Sequence, residues 1–408
     1  MNSSQSVAAP KTSADAIPTA DGRVQSLRKR QWAPRMWEGC NFCAWLRLLR
    51  RNRFAVQLPY LYIAVIVTFV STIHSVLRWL QELWYGDQIA QTEIREAPIF
   101  IVGHWRTGTT LLHEYMILDE RHNFPTTYEC MEPNHFLLTE GFMTRWMRFL
   151  APTHRPMDNM QAGFDRPQED EFALCMLGQP SPYLRIAFPN RPEPYPGSLT
   201  LAGLSPRVLR SWKYAFLRFL QQVTFKDPRR LVLKSPPHSC RIKVLLEMFP
   251  DARFLHIVRD PYVVFSSTMN LWKSMYRTHG LQTPTFEGLE EQVLSTFQTL
   301  YQKLEEGSRL VPPGHFYELR YEDLVRNPIE EMRKVYEHLG LGGFDRFQPR
   351  LEAYLANNKD YQTNRYDLAP QTRGKISERW GDVIRKYGYG HAVPAGTGVD
   401  GQQRVATP

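Results

Sequence analysis

The sequence has few cysteines, and their arrangement argues against a disulfide-stabilised protein and against a structural zinc site. Only five occur among 408 residues, at positions 40, 43, 130, 175 and 240. An odd, scattered set does not make a disulfide framework, so it favours a reducing compartment. Cys40 and Cys43 form a C-x-x-C pair, but no second pair follows at the spacing of a zinc site. We therefore expect free thiols and no metal.

Two further absences concern the N-terminus and the organisation of the chain. Residues 1–25 are rich in Ser, Ala, Thr and Gln, and they contain neither an apolar period nor an apolar signal-peptide core. We see no internal repeat. These observations predict a cytoplasmic protein with a disordered tail at 1–25 and a second polar tail at 391–408.

What the chain does contain is typical of a packed, basic protein. Hydrophobic residues make up 43% and aromatic residues 12%, and the formal charge is +9. Such a charge suits a protein that handles polyanionic small molecules, nucleic acid or anionic lipid. Part of it is local, because residues 28–53 contain many arginines and one acid, Glu38. No basic–aromatic stripe or binding motif is present, so we expect no nucleic-acid partner.

The region 26–96 is basic and apolar, and we predict that it is helical. Its segment Leu58–Leu77 is about long enough to span a bilayer, and the preceding basic cluster would keep the N-terminus in the cytoplasm. Pro59, two tyrosines and His74 speak against spanning, and amphipathic sequence follows as far as Tyr85. We favour a helix that packs on the domain or lies at a membrane surface. A single-pass anchor is the alternative.

Residues 97–390 predict one α/β domain with an insertion at about 128–228. Short apolar runs predict strands at Pro98–Val102, Arg230–Leu233, Arg253–Val258 and His315–Arg320. Helical stretches follow at 110–118, 239–249 and 329–339. The helix between the second and third runs predicts that these two strands pair in parallel through a right-handed crossover. The fold class is therefore an open parallel sheet flanked by helices, with ligands at the carboxyl ends of its strands.

The segment Gly103–Thr110 (GHWRTGTT) has the glycine spacing of a phosphate-binding loop. Glycines let backbone N–H groups turn around an anion, and the following helix adds positive potential. Thr109 stands where nucleotide triphosphatases have a lysine, and the cation of the loop is Arg106. The strand ends carry Lys234 and Arg259, so a magnesium site is poorly supplied. The pattern favours metal-free transfer from an anionic donor, and a P-loop kinase or NTPase is the alternative.

Three motifs in order resemble the superfamily of sulfotransferases that use 3′-phosphoadenosine-5′-phosphosulfate (PAPS). They are the loop, Arg259-Asp260-Pro261 followed by Ser267, and Tyr321–Leu324 (YEDL). The most similar branch holds the protein-tyrosine sulfotransferases and many bacterial members, and the resemblance covers residues 98–339. It implies an enzyme that transfers a sulfuryl group from PAPS to a hydroxyl or amine by in-line displacement.

The resemblance also implies roles for individual residues. The 5′-phosphosulfate of the donor would be bound by Arg106, Thr107, Gly108, Thr109 and Thr110. The 3′-phosphate would be bound by Arg259 and Ser267, and Arg can fork two phosphate oxygens. Arg373, in a late basic segment, is a further candidate for this phosphate. Lys234 would act with Arg106 to stabilise the negative charge that grows in the transition state.

The sequence leaves the general base open. Cytosolic relatives have a histidine two residues after the lysine, but Pro236 occupies that position here. Glu129 lies about as far from Arg106 as the glutamate of the protein-tyrosine branch, and it is our first candidate, provided that its site is partly desolvated. The other candidates are His238, His135 and the acidic run Glu169–Glu171.

The acceptor is not specified by any motif. The insertion is rich in aromatic residues and proline, which fits a shaped lid over a carbohydrate, lipid, peptide or small molecule, and the oligomeric state is equally open. A membrane-tethered binding protein that retains only the fold is a further alternative. The joint presence of Arg106, Lys234, Arg259 and Ser267 argues against an inactive site.

Overall fold

The structure is a computed structural model that describes residues 35–147, 163–358 and 368–390. The predicted tails at 1–25 and 391–408 lie outside these residues, as does the part of the insertion at 148–162. Within them, strands and helices alternate around one sheet.

Five parallel strands form this sheet in the described part of the chain, in the order β2-β3-β1-β4-β5. The strands are β1 Ile99–Val102, β2 His122–Asn123, β3 Arg230–Lys234, β4 Arg253–Val258 and β5 Phe316–Arg320. The four predicted strands are confirmed, with ends that differ by at most one residue. The two-residue edge strand β2 is too short to leave a pattern in the sequence.

The predicted pairing of β3 with β4 is wrong, because β1 lies between them. Ile99 of β1 is in register with Val232 on one side and with Arg253 on the other. All four residues of β1 are buried, as expected of the central strand of a parallel sheet. The carboxyl ends of β3 and β4 therefore flank the loop that follows β1.

Helices pack on both faces of the sheet, and the first two in chain order belong to the N-terminal region. In chain order they are α1 Phe42–Arg51, α2 Leu61–Gln91, α3 Thr109–Met116, α4 Thr127–Met131, α5 Phe136–Met147, α6 Asp170–Met176, α7 Pro206–Lys226, α8 Ile242–Met248, α9 Pro261–His279, α10 Leu289–Ser308, α11 Tyr321–Arg326, α12 Pro328–His338, α13 Phe344–Asn357, α14 Pro370–Arg379 and α15 Gly381–Lys386. Short 3₁₀ helices occur at Met36–Gly39, Leu58–Tyr60, Pro182–Ala187 and Pro236–Cys240. The predicted helix 239–249 is shorter in the structure, where α8 covers Ile242–Met248 and a 3₁₀ helix precedes it.

The hydrophobic core is divided by the sheet, and β1 contributes to both sides. Successive side chains of a strand point to opposite faces. Ile99 and Ile101 pack with residues of α3, α12 and α13. Phe100 and Val102 belong to the larger cluster, which includes α7, α9 and α10. The central strand is thus held from both faces, and the loop at its end starts from a fixed point.

The long helix α2 packs on the domain along one stripe only. Its buried residues are Ile63, Val67, Ser71, His74, Gln81 and Ile89. The opposite face exposes apolar side chains, among them Phe69 at 68% and Trp79 at 63%. In the ranges that the structure describes, this is the one helix long and apolar enough to cross a membrane.

Candidate active site

The loop Gly103–Thr110 lies at the carboxyl end of the central strand and leads into α3. Gly103 and Gly108 have φ values of 153° and 102°, a region that side chains rarely adopt. A Cβ atom on Gly108 would lie 2.3 Å from the Tyr321 ring, and one on Gly103 would lie 2.7 Å from the carbonyl oxygen of Ile257. Both positions of the motif therefore require glycine for space as well as for conformation.

Arg106 is held at the turn of this loop in a left-handed conformation, with φ of 71°. Its Nε donates a hydrogen bond to Oγ of Ser267 at 2.8 Å, and its carbonyl oxygen accepts one from Arg259 at 3.2 Å. A non-glycine residue in this conformation costs on the order of 1–3 kcal/mol, and such strain clusters at functional sites. The structure thus brings together the three residues that were assigned to the two ends of the donor.

The YEDL motif positions Arg259. The guanidinium carbon of Arg259 lies 4.2 Å from the centre of the Tyr321 ring, a cation–π contact. The neighbouring Glu322 accepts a hydrogen bond from the backbone N–H of Asp260 at 3.0 Å and another from the Tyr389 hydroxyl at 2.7 Å. The motif therefore fixes the strand end from which Arg259 projects.

The other loop residues divide between shaping the loop and lining the cavity. Thr107 is buried, and its hydroxyl donates to the carbonyl oxygen of His104 at 2.8 Å. Ser239 also braces the loop, because its hydroxyl accepts from the N–H of Gly103 at 2.8 Å. Thr109 and Thr110 line the cavity beside the loop. At the N-terminus of α3, the first backbone N–H groups have no partner within the helix.

Lys234 is joined to the loop through a chain of polar side chains. It is 2% exposed, and its Nζ lies 2.8 Å from Oε1 of Glu169. The other oxygen of Glu169 accepts a short hydrogen bond from the hydroxyl of Tyr183, which itself accepts from Trp105 Nε1 at 2.8 Å. Glu169, Tyr183 and Trp105 line the same cavity as Arg106.

Glu129, the first candidate for the general base, lies in a different environment. It forms a capping box with Thr126 at the start of α4, and its Oε1 is 2.7 Å from Nζ of Lys226. Burial raises the pKa of its carboxyl, and the Lys226 charge opposes this rise. Glu129 is not among the residues that line the cavity.

His238 is also buried away from the cavity. Its Nε2 lies 2.6 Å from Oδ2 of Asp170, and neither side chain is exposed. Ser235 donates to the other oxygen of Asp170 at 3.0 Å. Burial alone would raise the pKa of Asp170, but the His238 charge and the hydrogen bonds from His238 and Ser235 lower it instead. This pair joins α6 to the 3₁₀ helix after β3.

Arg373 lies on α14, whose side chains pack against the first turn of α9. Its guanidinium carbon is 4.0 Å from the centre of the Tyr262 ring, and the Tyr262 hydroxyl is 2.7 Å from that of Ser377. This helix α9 also carries Ser267 and directly follows Arg259. Arg373 is thus near the start of the donor-binding helix, but it does not line the cavity.

The loop opens into a cavity of about 730 Å³, a size typical of a small-molecule site. At one end it is lined by loop residues, Arg259 and Tyr321. Its other walls are mostly apolar and come from several helices and one loop, with Met36, Val70, Ile73, Leu77, Met131, Met143, Phe164, Phe172, Ile186, Leu271 and Met275. Three of these residues belong to α2, so the cavity extends from the donor loop to the helix whose outer face is exposed.

Two features of this cavity were not predicted from the sequence. One is the contribution of α2, whose composition predicted a helix packed on the domain or lying at a membrane surface and gave no sign of a site wall. The other is the placing of Glu169, which sequence reasoning ranked behind Glu129 and His238. The sequence signal for Glu169 was the acidic run RPQEDEFAL. This signal was ambiguous, because acidic residues also stabilise the N-terminus of a helix.

The family model for the sulfotransferase family matches residues 98–346. The chain belongs to this family. Omega-hydroxy-beta-dihydromenaquinone-9 sulfotransferase Stf3 of Mycobacterium bovis is 54% identical over 367 residues, which cover 90% of this chain and 94% of that protein. The protein of the same name from Mycobacterium tuberculosis matches equally.

Two solved sulfotransferase structures share the fold. STF9 from Mycobacterium avium superposes with a TM-score of 0.64 at 18% identity, covering 92% of this chain and 98% of that one. STF1 from Mycobacterium tuberculosis gives a TM-score of 0.54 at 17% identity, covering 83% and 91%. At these identities the likeness concerns the fold alone.

The predicted fold class and activity are confirmed. This sulfotransferase is an enzyme that uses PAPS as its sulfuryl donor. The interpretation as a kinase or NTPase gains no support, because the match is to sulfotransferases and the loop has Thr109 in place of the phosphate-loop lysine.

Proposed function

We propose that this enzyme sulfates a hydroxyl group on a membrane lipid of the hydroxylated menaquinone class. The observation that carries the proposal is the cavity, which runs from Arg106 to the apolar side chains of α2. An isoprenoid chain would bury its apolar surface against these walls, at a gain of about 25 cal/mol per Å². The 54% identical relatives bear the name of such an acceptor.

The chemistry of the walls favours a lipid over the other acceptors. A sugar needs several polar partners, because buried hydroxyl groups without hydrogen bonds are costly. Most of the lining surface is apolar and comes from Met, Leu, Ile, Val, Phe and other aromatic side chains, while polar residues such as His74, Glu132 and His135 form a smaller part. A volume of about 730 Å³ suits one small-molecule ligand, so we expect only the hydroxylated end of a long lipid to enter. The remaining tail would stay outside.

We also propose that the exposed face of α2 lies in the membrane interface. Its exposed apolar residues recur at helical spacing, as expected of an amphipathic helix lying on a bilayer; they are Leu61, Tyr62, Val65, Ile66, Phe69, Ile73, Val76, Trp79, Leu83 and Trp84. Arg50, Arg53 and Arg78 are exposed on or beside this helix and would attract anionic lipid headgroups.

An interfacial position explains the contacts of α2 better than a spanning one does. Gln81 donates to the carbonyl oxygen of Asn134 at 3.3 Å and accepts from the N–H of Leu137 at 3.0 Å. Ser75 accepts from the N–H of Phe42 at 2.9 Å. A helix that crossed the bilayer would lose these partners, and a polar group left unpaired in hydrocarbon costs several kcal/mol.

For the donor, we propose the roles that the family motifs imply. Arg106, Gly108 and the two threonines at the start of α3 bind the 5′-phosphosulfate, while Arg259 and Ser267 bind the 3′-phosphate. The acceptor oxygen attacks sulfur as the bond from sulfur to the bridging oxygen breaks, and 3′-phosphoadenosine-5′-phosphate (PAP) leaves. Arg106 and Lys234 stabilise the charge that accumulates on the leaving phosphate.

For the general base we propose Glu169 in place of Glu129. Glu169 lines the cavity, contacts Lys234 at the end of β3, and is linked through Tyr183 to the donor loop. A general base must come within hydrogen-bond reach of the proton that it removes. Glu129 is also paired with a lysine, but it is 2% exposed and does not line the cavity. Glu169 would take the acceptor proton as the new bond to sulfur forms.

The acceptor assignment is tested by radiolabelled sulfate transfer from PAPS. The full-length enzyme is given an ω-hydroxylated menaquinone, the same menaquinone without the hydroxyl, N-acetylglucosamine and a tyrosine peptide. We expect label on the hydroxylated lipid alone. Label on the sugar or the peptide, with none on the lipid, would overturn the acceptor assignment and leave the sulfotransferase activity intact.

Membrane binding is tested by co-sedimentation with vesicles of phosphatidylcholine and phosphatidylglycerol. We expect the enzyme to sediment with the vesicles and Val65→Glu/Phe69→Glu to remain in the supernatant. The matched control is Leu310→Glu/Val325→Glu, which adds the same charges at exposed apolar positions away from α2. Equal binding by both double variants would contradict the proposed membrane face.

A further inference from the structure

Three side chains that the reaction does not use meet in the wall of the cavity. They are His74 on α2, Glu132 at the end of α4, and His135 just before α5. Nδ1 of His74 and Nε2 of His135 each lie 3.4 Å from the same oxygen, Oε2 of Glu132. His135 is 3% exposed and His74 is 8% exposed. All three residues line the cavity.

None of the three facing atoms has a hydrogen-bond partner. Nδ1 of His74, Nε2 of His135 and Oε2 of Glu132 are all buried and unpaired. Buried polar atoms without partners are rare, and each one costs on the order of 1–3 kcal/mol. The three point toward one another, so a single cation between them would satisfy all three at once.

The hydrogen bonds around His135 set its tautomer. Thr139 has one hydroxyl proton, which it donates to the carbonyl oxygen of His135 at 3.1 Å, while it accepts from Tyr128 at 2.8 Å. Nδ1 of His135 lies 2.9 Å from the same hydroxyl oxygen, so Nδ1 carries the proton and donates it. A neutral ring with this tautomer presents its Nε2 lone pair to the Glu132 carboxylate. Two lone pairs repel each other unless a positive charge lies between them.

We propose that His74, Glu132 and His135 bind a divalent transition-metal ion of the zinc type. Zinc binds imidazole nitrogen and carboxylate oxygen at about 2.0–2.1 Å in tetrahedral geometry, which separates neighbouring ligand atoms by about 3.3–3.4 Å. Both measured nitrogen–oxygen distances are 3.4 Å. Two histidines and one carboxylate are a known ligand set for zinc with an open position.

The surroundings of the cluster meet the further requirements of a metal site. His135 donates its other ring proton to Thr139, the outer contact that orients metal-binding histidines. The segment that carries Glu132 and His135 is tied to α2, because Gln81 bonds to the backbone of Asn134 and Leu137. Because all three residues line the cavity, water or an acceptor oxygen could reach the ion as a fourth ligand. The proposed ion would also fasten α2 to the domain.

The test measures metal binding directly and does not depend on the identity of the acceptor. Full-length, tag-free protein carrying Cys43→Ser is freed of metal and titrated with Co²⁺, and the visible spectrum of a tetrahedral site is recorded. Cys43 is replaced because it is the exposed cysteine of the described residues. We expect saturation at about one ion per chain, displacement by Zn²⁺, and a rise in Tm because the ion binds the folded state.

Two ligand variants, one variant of the outer contact and one control decide the outcome. His135→Asn and Glu132→Gln should each weaken binding by more than about 100-fold, and Thr139→Val by about 10- to 100-fold as an outer contact. His338→Asn removes an exposed histidine outside the cavity and should leave binding unchanged. Absence of saturable Co²⁺ binding would overturn the metal site. So would Co²⁺ affinities of Glu132→Gln and Thr139→Val that equal the affinity of the control. Sulfate transfer is measured separately, so either proposal can fail alone.

Discussion

The two ends of the cavity are built in different ways. At the donor end, three short motifs supply Arg106, Arg259 and Tyr321, and each follows or ends a strand of the same sheet. At the acceptor end, apolar side chains come from α2, α4, α5, α6 and α9, from two 3₁₀ helices and from the loop before α6. The donor end is cationic and conformationally strained, whereas the acceptor end is apolar and formed by helix packing.

This difference reflects what each end must recognise. A phosphosulfate group has fixed charge and shape, so a loop with two obligatory glycines and a guanidinium at a set place can bind it. An isoprenoid chain offers only apolar surface, which many combinations of Leu, Ile, Met and Phe can cover. The donor end can therefore be recognised by sequence motifs, whereas the acceptor end can be recognised only in the three-dimensional structure.

The largest expected effect is at the point where the two ends meet. Glu169→Gln removes the proposed base and should lower kcat by about 10²- to 10⁴-fold while leaving PAP affinity within a few-fold. Glu129→Gln should lower Tm, because it disrupts the pair with Lys226, and should retain most of kcat. Stopped assays of sulfate transfer and calorimetric binding of PAP measure both. The reverse ranking would return the base role to Glu129.

The donor end is tested next, by Arg259→Ala. Loss of hydrogen bonds to a charged phosphate should weaken PAP binding by about 10- to 100-fold. A matched control is Arg253→Ala at the opposite end of β4, where the guanidinium bonds to the carbonyl oxygen of Leu339 at 2.7 Å. Calorimetry with PAP distinguishes the two variants. Equal losses in both would mean that Arg259 acts through stability and not through the 3′-phosphate.

The acceptor end should respond in KM alone. Leu77→Glu introduces a charge at the α2 wall of the cavity, and it should raise the KM for a lipid acceptor about tenfold. The affinity for PAP should not change, because Leu77 lies on α2, which carries none of the donor-binding motifs. Leu310→Glu, at an exposed position outside the cavity, is the control. If Leu77→Glu also lost PAP affinity, the donor and acceptor ends of the cavity would not be independent binding sites.

The smallest effect is expected at Thr107. The hydroxyl donates to the His104 carbonyl oxygen inside the loop, and a serine can make the same bond. Thr107→Ser should therefore change PAP affinity by less than about threefold. Thr107→Val leaves the buried carbonyl without this donor and should cost about 1–3 kcal/mol of unfolding free energy. Chemical denaturation followed by tryptophan fluorescence measures the stability of both variants.

The fold and the donor loop were accessible from the sequence because their signals are local. Apolar runs end directly at Gly103, Lys234 and Arg259, and these positions remain at strand ends in the structure. The order of the strands was less accessible. Chain order favoured β3 beside β4, but the fully buried β1 takes the centre, since pairing between distant segments is decided by how the whole sheet is covered.

The choice among acidic and histidine side chains could not be made from the sequence. Glu129, Glu169 and His238 all follow plausible spacing, but the structure gives Glu129 the partner Lys226 and gives His238 the partner Asp170. Only Glu169 of these three lines the cavity. Which partner a buried ionisable group finds depends on contacts between residues far apart in the chain.

The sequence by itself located the donor loop, because a phosphate-binding loop is a contiguous segment whose glycine spacing is set by backbone conformation, and the resemblance of three motifs implied PAPS as the donor. It also determined that Leu58–Leu77 is an apolar helix. Only the tertiary structure decided that this helix α2 packs one stripe on the domain, forms a wall of the cavity and brings His74 to Glu132 and His135. Apolar surface is non-directional, so its composition does not state which neighbours will cover it.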